Sequence, residues 1–272
     1  LKPTYGSVPK AGAIGLAPSM DHLGPISASV GDAALTLDVI AGRSGPEAAA
    51  SRLGQPIAGL RVGYARNWFA SDPQAMPEIV AAMDAALSQL SLLGVIVQQV
   101  ELPDYDLFEA AGAAILHAEA FKLHAADLRD HPEAYGRKSF QTLVTGVALT
   151  EPQYRAALQA GVALRSRLDA VLDDVDALVT ACTLTTALPV AAFGTSAVWT
   201  PMRTIGFNVT GHPVLALPIR LSDEGLPIGM QIVGKHLDEA VICQLGDAFE
   251  RSAGTADLVP PPVTAATRKA AV

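Results

Sequence analysis

The chain has only two cysteines, Cys182 and Cys243, among 272 residues. Both sit in apolar runs, so they read as buried thiols rather than a disulfide framework, and a reducing, cytoplasmic setting is expected. Positive charge is also scarce: 19 Lys and Arg stand against 27 Asp and Glu, a formal net charge of −8. The cations are scattered singly, whereas gripping a phosphate backbone needs them clustered, so no nucleic-acid partner is expected. No run approaches about eighteen consecutive apolar residues, so no membrane-spanning helix is expected either. The sequence contains no G-x-S-x-G elbow, Walker A loop, G-x-G-x-x-G or H-E-x-x-H. Nothing points to a metal or nucleotide cofactor, and no repeat of 20 to 50 residues is present.

What is abundant is glycine and proline, 23 and 19 residues. Eight of them punctuate residues 1–27, from Pro3 to Pro25, and mark this stretch as loop and turn. An amphipathic helix is expected over 30–41, with Gly42 at its stop, followed by a small-residue linker over 43–59. Residues 60–65 alternate like a strand. Residues 77–93 read as a helix with Pro77 in its first turn, Ile79, Met83, Leu87 and Leu90 on one face, and Gly94 at its end. A branched-residue strand follows at 95–102, then long helices at 107–129 and 153–173. A buried strand at 176–182 leads into a Thr-rich loop. Strands at 214–221 and 228–234 form a pair, and a last helix covers 238–252. This order predicts an α/β fold with a mixed sheet covered by helices on both faces. The organisation expected is one unit over 1–252 with a flexible tail at 253–272.

Several residue groups have the chemistry of a site, and each has a plainer reading. Ser7 and Lys10 match S-x-x-K, but Pro9 and the flanking glycines oppose the helical turn that would bring the amine to the hydroxyl. Ser19, Asp21 and His22 are the residue types of a hydrolytic triad. Triad members normally converge from separate elements, so Asp21 is better read as ordering its own loop. His117 and His124 lie two helical turns apart, too far to chelate a metal unaided. Asp173, Asp174 and Asp176 could attract a hard cation, but read better as a solvated helix-to-strand corner. Trp199, Met202, Ile205 and Phe207 form a bulky group that is either core packing or the wall of an apolar substrate pocket.

Three blocks in order carry a resemblance. "LKPTYGSVPKAGAIGLAPSMDHLGPISASVGDAALTLDVIAG" resembles the segment that follows the catalytic signature of amidase signature enzymes. "DVDALVTACTLTTALP" is similar to their strand and Thr/Pro loop. "FNVTGHPVLALPIRLSDEGLPIGMQIVGKHLDEAVICQLGDAFE" resembles their C-terminal block, with Asn208, Gly211, Pro213, Pro218, Gly225, Leu226, Pro227, Gly229, Gln231 and Gly234 in place. The resemblance runs from residue 1 to about 252 and implies the amidase signature fold, incomplete on its N-terminal side.

It implies hydrolysis or transfer of linear amides by a Ser–cis-Ser–Lys triad, with an oxyanion held by backbone N–H groups. The whole triad would lie upstream of the residue matching Leu1. The sequence contains no Gly-Gly-Ser or Ser-Ser, and Lys2 and Lys10 match positions beyond the signature. No catalytic residue is therefore expected in this chain, which should be inactive alone. The resemblance implies a substrate-binding wall built from Cys182, Thr183, Phe193, Trp199, Met202 and Ile205, a small-molecule amide as partner, and no cofactor. It is compatible with a homo-oligomer. In glutamine-using members an Arg and an Asp grip the glutamine where this chain has Gly161 and Pro201, which favours a less polar amide. The rival expectation is a truncated, non-catalytic module for binding or assembly.

Overall fold

The computed structural model describes residues 1–194 and 200–255. Its centre is a five-stranded sheet of β1 (Arg61–Tyr64), β2 (Ile96–Gln99), β3 (Ala177–Ala181), β4 (Val214–Leu221) and β5 (Pro227–Val233), in the order β2-β1-β3-β5-β4. β1 pairs parallel with β2 and β3, while β5 pairs antiparallel with β3 and β4. The helices are α1 (Val30–Ala41), α2 (Pro77–Leu92), α3 (Tyr105–Asp130), α4 (Arg137–Val144), α5 (Glu151–Asp173), α6 (Ile205–Thr210) and α7 (Glu239–Ala253). The tail expected at 253–272 lies, from residue 256 onward, outside the described residues.

Successive strand residues point to opposite faces, and the two faces collect different cores. Val62, Tyr64, Val179, Ala181, Leu215, Leu217, Met230 and Ile232 pack with α1, α2 and α7. Leu178, Val214 and Val233 pack with α3, α5 and α6 around Trp68 and Phe207. The sheet is thus covered on both faces, as the pattern predicts. On α2 the expected stripe is buried: Ile79, Met83 and Leu90 are all at most 1% exposed. Each such side chain contributes about 1.5–3 kcal/mol relative to an exposed one. Gly94 takes φ 90°, the left-handed conformation that ends this helix and turns the chain into β2.

Element ends differ from the expected ones by a residue or two, apart from β2, which stops three residues short at Gln99, but two helices were not predicted. α4 has only eight residues, so its short stripe of Phe140, Leu143 and Val144 spans barely one repeat of the helical period. α6 has six residues, too few to show a period. The stretch 43–59 is also more ordered than a linker. It holds two 3₁₀ turns, Gly45–Glu47 and Ala49–Arg52. The second is tied to α1 by Asp38, whose carboxylate accepts from Ala49 N (2.6 Å) and Ala50 N (3.0 Å).

The first residues are loop, as expected, yet firmly attached. Lys2 exchanges backbone hydrogen bonds with Val214 at the start of β4 (2.8 and 2.7 Å). Thr4 N donates to buried Glu239 Oε1 at 2.8 Å, and Arg43 meets the other oxygen of that carboxylate at 2.5 Å. Among the described residues, no helix is long and apolar enough to cross a membrane.

Candidate functional site

A cavity of about 1080 Å³ opens where β3 ends. Its walls come from the loop after β3 (Cys182, Thr183, Thr185), the segment Thr200–Met202, and the β4–β5 pair through Leu217, Pro218 and Leu226. None of its described lining residues carries a charge. Two loops make its floor, and backbone pairing between them fixes their spacing. Leu184 N donates to Pro201 O (3.0 Å), Arg203 N donates to Cys182 O (2.8 Å), and Thr183 bridges Met202.

The reason these loops stay together lies just beneath them. Gln231, 2% exposed on β5, donates from Nε2 to both Ala181 O and Arg203 O, each at 2.9 Å. Arg203 is also buried: its Nε donates to Trp68 O (2.8 Å), an NH2 group meets Asp72 at 2.5 Å, and its guanidinium lies 4.3 Å from the Tyr105 ring centre. Tyr105 in turn donates to Met202 O at 3.0 Å. A buried charge held this way positions a loop rather than reacting. At Gly229 the strand passes so near the thiol that a Cβ would lie 3.2 Å from Cys182 Sγ. Desolvation pushes the Cys182 thiol up to about 12, which removes it as a nucleophile at neutral pH.

Of the six residues expected to wall a substrate pocket, Cys182, Thr183, Phe193 and Met202 line this cavity. Ile205 does not; it faces α3, where a Cβ on Gly112 would touch its side chain at 2.7 Å. Trp199 lies outside the described residues. Phe207 is fully buried core.

A second, smaller pocket of about 310 Å³ adjoins the first and shares Ala216 with it. It is lined by Leu1, Lys2, His22, Thr204, Asn208 and Gln231, among others. Burial, with Lys2 and Lys10 adding positive charge, pushes His22 down to about 4, so the ring is neutral. Its Nδ1 lies 2.6 Å from Met20 O, and its buried Nε2 has no partner. Lys2 is half-buried and pushed down to about 7 by desolvation, which outweighs the attraction of Glu239. Its Nζ donates to His212 O at 2.5 Å.

The other sequence groups resolve into structure. Asp21 accepts from Leu16 N (2.9 Å) and Ala17 N (3.0 Å), the loop-ordering role expected of it. Ser7 Oγ accepts from Arg43 while Lys10 donates to Pro18 O, so the two do not meet. His117 pairs with Thr142 O and His124 with Gly15 O and Tyr135. Asp176 accepts from Arg61 N at 2.7 Å and joins α5's end to β1. Sequence reasoning did miss one convergence, of Asp169, His212 and His236. These three lie on α5 and at the two outer ends of the β4–β5 pair, and only the topology brings them together.

Comparison with known proteins gives this architecture its place. The Amidase family model matches residues 1–243. A glutamyl-tRNA(Gln) amidotransferase subunit of Synechococcus sp. (strain CC9605) is 30% identical over 290 residues, covering 93% of this chain and 59% of that protein. A crystal structure of an amidase matches with a TM-score of 0.81 at 30% identity, over 93% of this chain and 58% of that one. A second structure, described as a vestigial protein complex revealing the evolutionary origins of an s-triazine catabolic enzyme, matches with a TM-score of 0.79 at 28% identity. It covers 93% of this chain and 58% of its own. The chain spans about three-fifths of the length of the curated relatives it matches. With the family model matched over most of its length and the fold shared with solved relatives, this chain belongs to the amidase (amidase signature) family.

Proposed function

We propose that this chain forms the substrate wall of an amide hydrolase acting on linear, predominantly apolar carboxamides. In this reading the nucleophile, its relay serine and the lysine base come from residues preceding Leu1 in the complete enzyme, and the chain alone is inactive. The observation that carries the reading is the position of Leu1. It lines the smaller pocket, which shares Ala216 with the apolar cavity. A Gly/Ser-rich loop a short way upstream would therefore be delivered beside the substrate wall, where backbone N–H groups can hold an oxyanion. The shared coverage of only three-fifths of the relatives supports the same view.

The substrate class follows from the lining. A wall of Leu188, Phe193, Met202, Leu217 and Leu226 with no charged side chain suits an alkyl or aryl acyl group. Glutamine would bring an ammonium and a carboxylate that none of the described lining residues can pair, at a cost of several kcal/mol per ion. Gly161 packs against Val209 and Pro201 lines the cavity, so neither offers a charge. The test is to assay the 272-residue chain beside a version extended upstream through the signature, on an aromatic carboxamide and on glutamine. Turnover is expected only from the extended protein, with the aromatic amide preferred. Turnover by the shorter chain, or a preference for glutamine, would overturn the reading.

A further inference from the structure

We propose that Asp169, His212 and His236 form a binding site for a divalent transition-metal ion, with Zn²⁺ as the reference ion. One ligand atom from each lies within 4.8 Å of the other two. His212 Nε2 stands 2.9 Å from Asp169 Oδ1, and His236 Nε2 stands 3.8 Å from the same oxygen. For metal–ligand bonds of about 2.0–2.1 Å, tetrahedral geometry requires donors about 3.3 Å apart. The two observed separations straddle that value, and the third, between the two histidines, is within 4.8 Å. Two histidines and one carboxylate leave a fourth position for water, and the partly exposed Asp169 and His236 give a route from solvent.

Three further observations point to a ligand here. His236 Nε2 is a buried nitrogen with no hydrogen-bond partner, although it faces the cluster. His212 is fully buried, and its other nitrogen, Nδ1, lies 3.0 Å from Thr210 Oγ1, the outer contact that fixes ring orientation in metal sites. Leu237, directly after His236, has φ 66°, a left-handed conformation that is an outlier for a bulky residue. It is held there by Leu237 N donating to Thr4 Oγ1 at 2.8 Å. Backbone strain of this kind clusters at functional positions, and here it falls directly after His236. The rings of His212 and His236 lie 4.1 Å apart.

Two cations oppose the ion. Arg165 approaches His236 at Nδ1 (3.4 Å), the nitrogen turned away from the donor set, and Lys2 sits on the His212 carbonyl. They weaken the site without occupying it. A bound ion would clamp α5 to the base of the β4–β5 pair, away from the apolar cavity.

The test uses the 272-residue chain, stripped with a chelator and titrated with Zn²⁺ by calorimetry and with Co²⁺ by visible absorption. One equivalent of Zn²⁺ is expected to bind in the micromolar range, with the intense Co²⁺ bands of a four-coordinate site. Asp169→Asn and His236→Gln, both at partly exposed positions, are each expected to weaken Zn²⁺ binding by at least about tenfold and to abolish the Co²⁺ bands. Circular dichroism of both variants should match the parent. No binding below about 1 mM, or binding that either variant leaves within about twofold of the parent, would overturn the proposal.

Discussion

Replacing Gln231 by Met isolates what holds the cavity floor. Met keeps nearly the same volume and the apolar contacts of the side chain, but it cannot donate. Gln231 Nε2 serves two buried carbonyls, Ala181 O and Arg203 O, at 2.9 Å each. Leaving a buried acceptor unsatisfied costs about 1–3 kcal/mol, so the pair sets a loss of about 2–5 kcal/mol. For a protein of this size each kcal/mol moves the midpoint by about 2–4 °C, which gives a fall in Tm of roughly 5–15 °C. Thermal and urea unfolding followed by circular dichroism measure it, with an unchanged urea m value confirming that stability alone has moved. The control is Gln55→Met, which removes an exposed donor to Ser51 O and should cost no more than about 0.5 kcal/mol. A Gln231→Met midpoint within about 2 °C of the parent would refute the reasoning, because the two carbonyls would then have other donors.

Three other outcomes are expected. Met202→Lys, at a half-exposed position on the cavity rim, should leave Tm within about 2 °C while weakening binding of an aromatic amide probe by about tenfold, read by equilibrium titration. Gly146→Ala drives a Cβ into the His117 carbonyl oxygen, and because backbone cannot step aside it should cost about 3 kcal/mol in urea unfolding. For His22 the unfolded ring takes a proton near 6.5 and the folded ring only at about 4. The stability it contributes is therefore complete above pH 6.5 and lost as the pH falls from there toward 4. His22→Gln should flatten that part of the pH profile, which urea unfolding at about pH 7 and about pH 5 would reveal.

The sequence was most legible where a single element carried its own signal. The α2 stripe, the glycine that ends α1, and the strand–turn–strand pair of β4 and β5 are local patterns, and they located their elements within a residue or two. The pairing order was not legible. Nothing in β3 alone says that it runs parallel to β1 on one side and antiparallel to β5 on the other. The same limit governs the sites. Cys182, Thr183 and Met202 sit on loops next to a recognisable strand, whereas Ile205 shares their bulk and neighbourhood but turns toward Gly112. Asp169 and His212 are 43 positions apart and meet only because α5 crosses the base of the β4–β5 pair. Spacing rules for metal ligands assume neighbours in sequence, so they pass over such a convergence.

The sheet's connectivity also sets an order of events in time. β4 and β5 are joined by a tight turn closed by Ser222 N to Leu226 O, and can pair as soon as both have formed. β1 must wait for β3: the bond from Arg61 N to Asp176 spans 115 positions, and that from Thr4 N to Glu239 spans 235. During synthesis β1 can pair early with β2 but waits much longer for β3, and the opening loop gains its contacts in stages, from α3, then β4, and last from Glu239 on α7. Loop-closure entropy must be spent before these distant contacts return anything, which makes completion of the sheet slow and late. The nascent chain is thus open to chaperones and proteases from the emergence of β1 until that of α7.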